Sequence, residues 1–297
     1  MDLLVVGGYG VGLTFFTPRA PEAGETLSGA RMSTEHGGKA SNQAVGASRL
    51  GVRTGLLTAI GRDDRAAAAL TMWQTEGVDV TAVQQLDGTT MVGCILVEKT
   101  GENRIVIADG VLNDLSAERI THCRNTFEEA AAVLVSCEMP TAAITAALRL
   151  GRDSGAHVIL NPAPAPDLPD DAWDAVDLIT PNRTEAGQLL GTADLDAATA
   201  AARLAERCRS AVVVTDGAAG CFVCESPGAT PEHIDGISGI DVVDTTGAGD
   251  SFNSALACAL LRGEDLAAAA RFATRAASLT VQTPGVLPAL PRAADVA

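Results

Sequence analysis

Asp244-Thr245-Thr246-Gly247-Ala248-Gly249-Asp250 is the stretch whose residue types and spacing could do chemistry. Two glycines around an alanine make a tight turn. Phe252, Ala255, Leu256, Ala259 and Leu260 then recur at helical spacing, which predicts a helix starting at or near Asp250. A helix fed by such a turn presents unpaired N–H groups and the positive end of its dipole, a ready site for an anion. A carboxylate beside an anion cradle is what phosphoryl transfer to an alcohol requires. The same residues also fit a plain helix start, with Asp250 as N-cap and the glycines as a turn. A carboxylate at a helix N-terminus is expected to stay ionised and be a weak base.

Other polar residues fall where ligands gather. Gly37-Gly38-Lys39-Ala40-Ser41-Asn42-Gln43 opens a helix that Gly51 closes. Lys39 and Asn42 could converge on a polar ligand at its mouth, or Lys39 could be solvated and Asn42 turned to water. A Walker A loop is excluded, because Ala40 follows the lysine and Ser33 stands where the first P-loop glycine belongs. Gly7 to Gly12 imitates a dinucleotide fingerprint, but Leu13 replaces its third glycine and residues 14–18 continue as strand. Glu138, Asn161, Thr180 and Thr215 each follow an apolar run. Asn182 and Glu185 have capping-box spacing, and a glutamate there can also order the water shell of Mg²⁺. Asp216-Gly217 fits a ligand loop or a plain turn.

The elements that must position these residues are short Val/Ile/Leu strands at 3–6, 56–60, 133–136, 158–160, 178–180 and 212–215. Helical segments near 64–76, 117–129, 141–153, 183–190 and 196–208 separate them. Such alternation predicts an α/β fold, a mostly parallel sheet covered on both faces, with ligands beyond the strands' carboxyl ends. An exposed strand over 26–33 and a hairpin over 91–98 and 104–108 predict a small second sheet outside the main body.

Composition bounds the partners. The 297 residues are 47% hydrophobic but only 3% aromatic, so alanine and valine must do much of the packing. A formal charge of −16 argues against a nucleic-acid backbone or an anionic membrane as the main partner. The N-terminus lacks a basic n-region, and no apolar run approaches the roughly 20 residues of a membrane helix. Of the 7 cysteines only Cys221 and Cys224 form a CxxC, with no second pair to complete a zinc site. The expected compartment is cytoplasmic.

The residue 37–44 motif, the Asn182-x-x-Glu185 pair and residues 244–250, in this order over nearly the whole chain, together resemble the ribokinase-like (PfkB) carbohydrate kinases. Asn161-Pro162-Ala163-Pro164-Ala165 and Glu138 look most like the ribokinase branch. The resemblance implies one kinase domain over 1–297, a three-layer α/β/α sandwich, with a discontinuous β lid at 10–36 and 88–109. It implies transfer of the γ-phosphoryl of ATP to a primary hydroxyl of a pentose-like sugar, ribose being the best single name. The alternatives are another sugar, a nucleoside, or a non-catalytic binder on the same fold. Asp250 would be the general base, with the N–H groups of Gly247, Ala248 and Gly249 as anion hole. Gly38, Lys39, Asn42 and Glu138 would bind sugar hydroxyls. Asn182 and Glu185 would serve the phosphates and hydrated Mg²⁺, while Thr215, Gly217, Gly220 and Gly249 would line the nucleotide site. Asp244 and the Thr246 carbonyl would match two ligands of a monovalent cation such as K⁺, and the lid would form a homodimer contact. Three positions depart from the family: Gly12 stands where an aspartate is usual, Gly110-Val111-Leu112 represents a Gly-Ala-Asn stretch, and Ala289 replaces a serine near the cation.

Overall fold

Runs such as Leu3-Leu4-Val5-Val6 are apolar at every position because their strands are buried on both faces. The computed structural model describes residues 1–192 and 194–296. In chain order its strands are β1 (Leu3–Val6), β2 (Gly10–Thr17), β3 (Arg31–Gly37), β4 (Thr54–Leu57), β5 (Ala59–Ile60), β6 (Gln84–Gln85), β7 (Val92–Glu98), β8 (Asn103–Ala108), β9 (Ala132–Ser136), β10 (His157–Asn161), β11 (Leu178–Ile179), β12 (Ala211–Thr215), β13 (Gly220–Cys224) and β14 (Glu232–Asp235). The helices are α1 (Lys39–Arg49), α2 (Asp64–Thr75), α3 (Ala117–His122), α4 (Arg124–Glu128), α5 (Thr141–Asp153), α6 (Asp170–Trp173), α7 (Arg183–Leu190), α8 (Ala197–Cys208), α9 (Ala248–Leu261), α10 (Leu266–Thr280) and α11 (Ala293–Val296).

The large sheet has 8 strands in the order β14-β13-β12-β11-β10-β9-β1-β4. It is parallel from β4 to β12, and β13 and β14 add antiparallel at one edge. Successive side chains point to opposite faces. Val133, Val135 and Leu160 therefore pack with Leu148 of α5 and Leu204 of α8. Leu134 and Ile159 pack on the other face with Ala44 of α1, Leu256 of α9 and Ala273 of α10. This is the expected three-layer arrangement. No helix among the described residues is long and apolar enough to cross a membrane.

The small sheet has 4 strands in the order β3-β2-β7-β8, with β2 and β7 parallel and the outer pairs antiparallel. Its strands depart from β1 and α1, so it is rooted beside the ends of the large sheet. The expected 26–33 strand is displaced: β3 begins at Arg31 and runs to Gly37, because Gly10 of β2 pairs with Gly37 and Gly29 sits at φ 86. The expected 56–60 strand also splits. β4 stays in the large sheet, while β5 turns away to pair with β6 at Gln84. The helix expected over 117–129 breaks at Cys123 into α3 and α4.

Candidate active site

Helices α1 and α9 approach closely where neither carries bulk: a Cβ on Gly46 would lie 2.5 Å from Ser254 Oγ. One turn earlier on each helix, Asn42 and Gln43 therefore face Asp250. Asn42 Nδ2 donates to Asp250 Oδ2 at 2.8 Å, and Gln43 Nε2 donates to Asp250 Oδ1 at 3.1 Å. Helix α9 starts at Ala248, earlier than expected, with Gly247 as N-cap, so Asp250 lies inside the first turn and does not cap it. Nor is Asn42 turned to water; it is 4% exposed. Burial pushes the Asp250 carboxyl above the ordinary aspartate range, opposed by the Lys39 charge and by the two amides. The expectation of a weakly basic carboxylate is thereby corrected, since desolvation sets the direction.

The turn ahead of Asp250 is stapled from two sides. Asp244 Oδ1 accepts from Thr246 N at 2.9 Å and from Thr246 Oγ1 at 2.6 Å, while Asp244 Oδ2 accepts from Gly285 N at 3.0 Å. Burial would raise the Asp244 carboxyl, but these bonds outweigh it and hold it below the usual value. Gly247 sits at φ 81, and a Cβ there would come within 2.6 Å of Val286 Cγ1. Only glycine suits both conditions. Ala248 N donates to Thr245 O at 3.2 Å, so part of its donor capacity closes the turn, whereas the space beside Gly249 is open.

Across the cleft, Gly38 sits at φ 90 with its Cβ position 2.5 Å from Tyr9 Cα and 2.6 Å from Gly8 O. The double glycine lets α1 begin directly against the chain leaving β1. Lys39 N, at that helix start, donates to Glu138 Oε2 at 2.6 Å. Burial pushes the Glu138 carboxyl up, against the Lys39 hydrogen bond and charge. Gly38, Lys39, Asn42, Glu138 and Asp250 thus converge on one end of the large sheet. Leu112 borders them, since a Cβ on Gly8 would lie 3.3 Å from Leu112 Cδ2 and 2.7 Å from Glu138 Cβ.

The remaining candidates line an adjoining rim. Asn182 and Glu185 form a complete capping box on α7, each side chain accepting from the other's backbone N–H at 2.8 Å. Glu185 is half-buried, and burial pushes its carboxyl up. Asn182 pairs with Thr215 as an isolated bridge, and Arg183 meets Asp216 at 3.2 Å. Gly217 at φ 56 is open to solvent. Gly220 is different: it is buried, and a Cβ would come within 2.5 Å of Gly236 N, so its chain crossing already requires glycine. No group of three or more metal-ligating side chains occurs among the described residues.

Sequence reasoning missed the residues that hold Asp250 in place. Gln43 stood unused beside Asn42, Thr180 was seen only as a strand-end polar residue, and Asn161 as a strand-end residue and part of a family-like stretch with no role of its own. Asn253, one turn after Asp250, was read as part of the helix. Gly12 lies in register with Glu35 of β3 on one side and Gly93 of β7 on the other. Ala289 is buried, its N–H on Val286 O at 3.0 Å.

A mostly parallel α/β/α body, a Gly-rich helix start and a buried carboxylate beside it fit a phosphotransferase in outline. Comparison with known proteins makes the class specific. The pfkB family carbohydrate kinase model matches residues 2–293. The ribokinase of Haemophilus influenzae is 33% identical over 293 residues, spanning 97% of this chain and 95% of its own. The ribokinase structure from Thermotoga maritima superposes with a TM-score of 0.90 at 29% identity, covering 99% of this chain and 97% of that one. Arabidopsis thaliana ribokinase complexed with ribose and ATP gives a TM-score of 0.88 at 28% identity, with 99% and 97% covered. The chain belongs to the pfkB family of carbohydrate kinases and is a ribokinase-like phosphotransferase acting on a hydroxyl group.

Proposed function

We propose that this kinase transfers the γ-phosphoryl of ATP to a primary hydroxyl of a pentose, with ribose the acceptor best supported. The observation that carries the reading is the buried Asp250 carboxylate, held by Asn42 and Gln43 one turn into the helix that the Gly247–Gly249 turn begins. Asp250 orients the acceptor hydroxyl and takes its proton, which a loose transition state releases late. Its raised proton affinity suits that task better than that of an exposed aspartate. The N–H groups of Gly247 and Gly249, with the shared one of Ala248, face the transferring phosphoryl. Gly38, Lys39, Asn42 and Glu138 hold the sugar hydroxyls. Asn182, Thr215, Gly217 and Gly249 line the nucleotide side, and Gly220 supports that loop from below.

Two cations complete the scheme. Glu185 keeps one carboxylate oxygen outside its capping box, which fits outer-sphere contact with Mg²⁺, an ion that usually retains its waters. Mg²⁺ would neutralise phosphate charge. Asp244, held ionised, and the Thr246 carbonyl fit a monovalent cation such as K⁺ beside the turn. The small sheet acts as the lid over the sugar. Its edge strand β8 exposes Ile105, Val106 and Ile107, an apolar edge suited to a homodimer contact, and Met32 is exposed on the opposite edge strand β3.

A second acceptor has an observation of its own. Gly12 and Gly93 leave the middle of the small sheet without side chains on the face they share with Glu35. That room admits a bulkier acceptor, another sugar or a nucleoside. An ADP-release screen over ribose, other pentoses, hexoses and nucleosides tests both readings. Highest kcat/KM on ribose supports the first; preference for a nucleoside replaces it with the second. No turnover of any acceptor despite ATP binding would leave only a non-catalytic binder.

A further inference from the structure

The amide that holds Asp250 belongs to a closed chain of side-chain hydrogen bonds. Gln43 Nε2 is shared between Asp250 Oδ1 at 3.1 Å and Asn161 Oδ1 at 3.0 Å. Asn161 Nδ2 donates to Thr180 O at 3.0 Å. Thr180 Oγ1 donates to Asn253 Oδ1 at 2.5 Å, and Asn253 Nδ2 donates to Gly249 O at 2.8 Å. Gly249 is the residue before Asp250, so the path returns to its start. It runs through α1, the end of β10, the residue after β11, and α9, and every side chain in it is buried.

The donor directions leave no alternative orientation for Gln43. Both of its partners in the ring are acceptors, so a flipped amide would set oxygen against oxygen twice. Holding that orientation leaves Gln43 Oε1 buried without a hydrogen-bond partner, as Asn42 Oδ1 also is. A buried unpaired acceptor is destabilising. Packing alone would not favour this arrangement, but fixing a carboxylate would.

We infer that Gln43, Asn161, Thr180 and Asn253 form a positioning ring that locks the Asp250 carboxylate to the Gly249 end of the phosphoryl-binding turn, so that base and anion cradle keep one relative geometry. The ring touches neither ATP nor acceptor except through Asp250 and Gly249. It rests on the reading of Asp250 as base, yet its effect on Asp250 can be measured without turnover. The charged groups facing Asp250 are Lys39 on α1, Glu138 after β9 and Glu185 on α7, and none is altered by the variants that follow.

Two variants test it. Asn161→Ala removes the acceptor that holds Gln43 and the donor to Thr180 O, and Thr180→Val, of the same shape, breaks the Oγ1 link to Asn253 together with a longer one to Leu160 O at 3.4 Å. Each is expected to lower kcat on ribose by about tenfold with the KM values for ATP and ribose within about twofold, the size a misaligned base gives through a barrier ~1.4 kcal/mol higher. Each is also expected to move the Asp250 carboxyl titration upward, followed by isotope-edited NMR of the carboxyl carbon, because a loosened amide stabilises the charged form less. Asn161→Ala should shift it further. Folded variants with wild-type titration and kcat within about twofold would overturn the ring. If Asn161→Ala does not fold, Thr180→Val decides alone. If the wild type fails to phosphorylate ribose, the acceptor assignment falls and the titration still reads the ring.

Discussion

Asp250 is a charge-bearing group placed where charge is poorly solvated, and in the proposed mechanism that tension is its use. The ionised side chain is held by amide donors only, while burial raises its affinity for a proton. Turnover should therefore fall on acidification at a higher pH than an ordinary aspartate would set, as Asp250 protonates. A pH–kcat profile checks this, and an acid limb in the ordinary aspartate range would contradict it. The same strain predicts a stability effect. A carboxyl whose folded pKa is raised destabilises the fold while ionised, fully above that pKa and not at all below the unfolded value. Asp250→Asn should thus melt about 2–4 °C higher near neutral pH, the shift that ~1 kcal/mol gives in a domain not far below this size. The gain should shrink as pH falls through the aspartate range. Asn42 keeps an unused amide oxygen and its Nδ2 bonds only residue 250, so it can turn to accept from the new amide.

At the scale of elements, two glycines decide whether the helices can present these residues. Gly247 combines φ 81 with close contact to Val286, and Gly38 combines φ 90 with close contact to Tyr9 and Gly8. Gly247→Ala should destabilise the chain by about 1–2 kcal/mol from its backbone conformation alone. It should also lower kcat more than the KM for the acceptor, since it displaces the cradle and leaves the sugar side intact. Denaturant unfolding with steady-state kinetics measures both. The element pattern was legible in the sequence wherever burial was two-sided, as at β9 and β10, because continuous apolar runs need no partner to be read. The 26–33 strand was misplaced since its boundary depends on pairing Gly37 with Gly10, a tertiary fact. Asp250, Asn42 and Glu138 were legible from type and motif. Gln43, Asn161, Thr180 and Asn253 were not, because their roles depend on contacts between residues 73, 118 and 207 positions apart in the chain.

At the scale of the molecule, the large sheet is the buried body, and the small sheet is proposed as a movable cover over it. The small sheet shares few core residues with the body; Val11 reaches the core, while β8 is exposed throughout. Low burial of this kind marks a segment that opens at low free energy. Saturating ribose should slow hydrogen exchange in β2, β3, β7 and β8 while leaving β9 and β10 unchanged; equal exchange with and without ribose would remove the lid. Val106→Lys, on the exposed apolar strand, should shift the particle toward monomer in light scattering if the small sheets form the dimer. The account as a whole turns on Asp250 as the base of a sugar kinase. Its most direct test is Asp250→Asn assayed for ADP release with ribose, alongside calorimetric ATP binding. Turnover should fall by about 10²–10⁴-fold with ATP affinity kept, the range that loss of a general base gives. Near-normal turnover in that variant would contradict it.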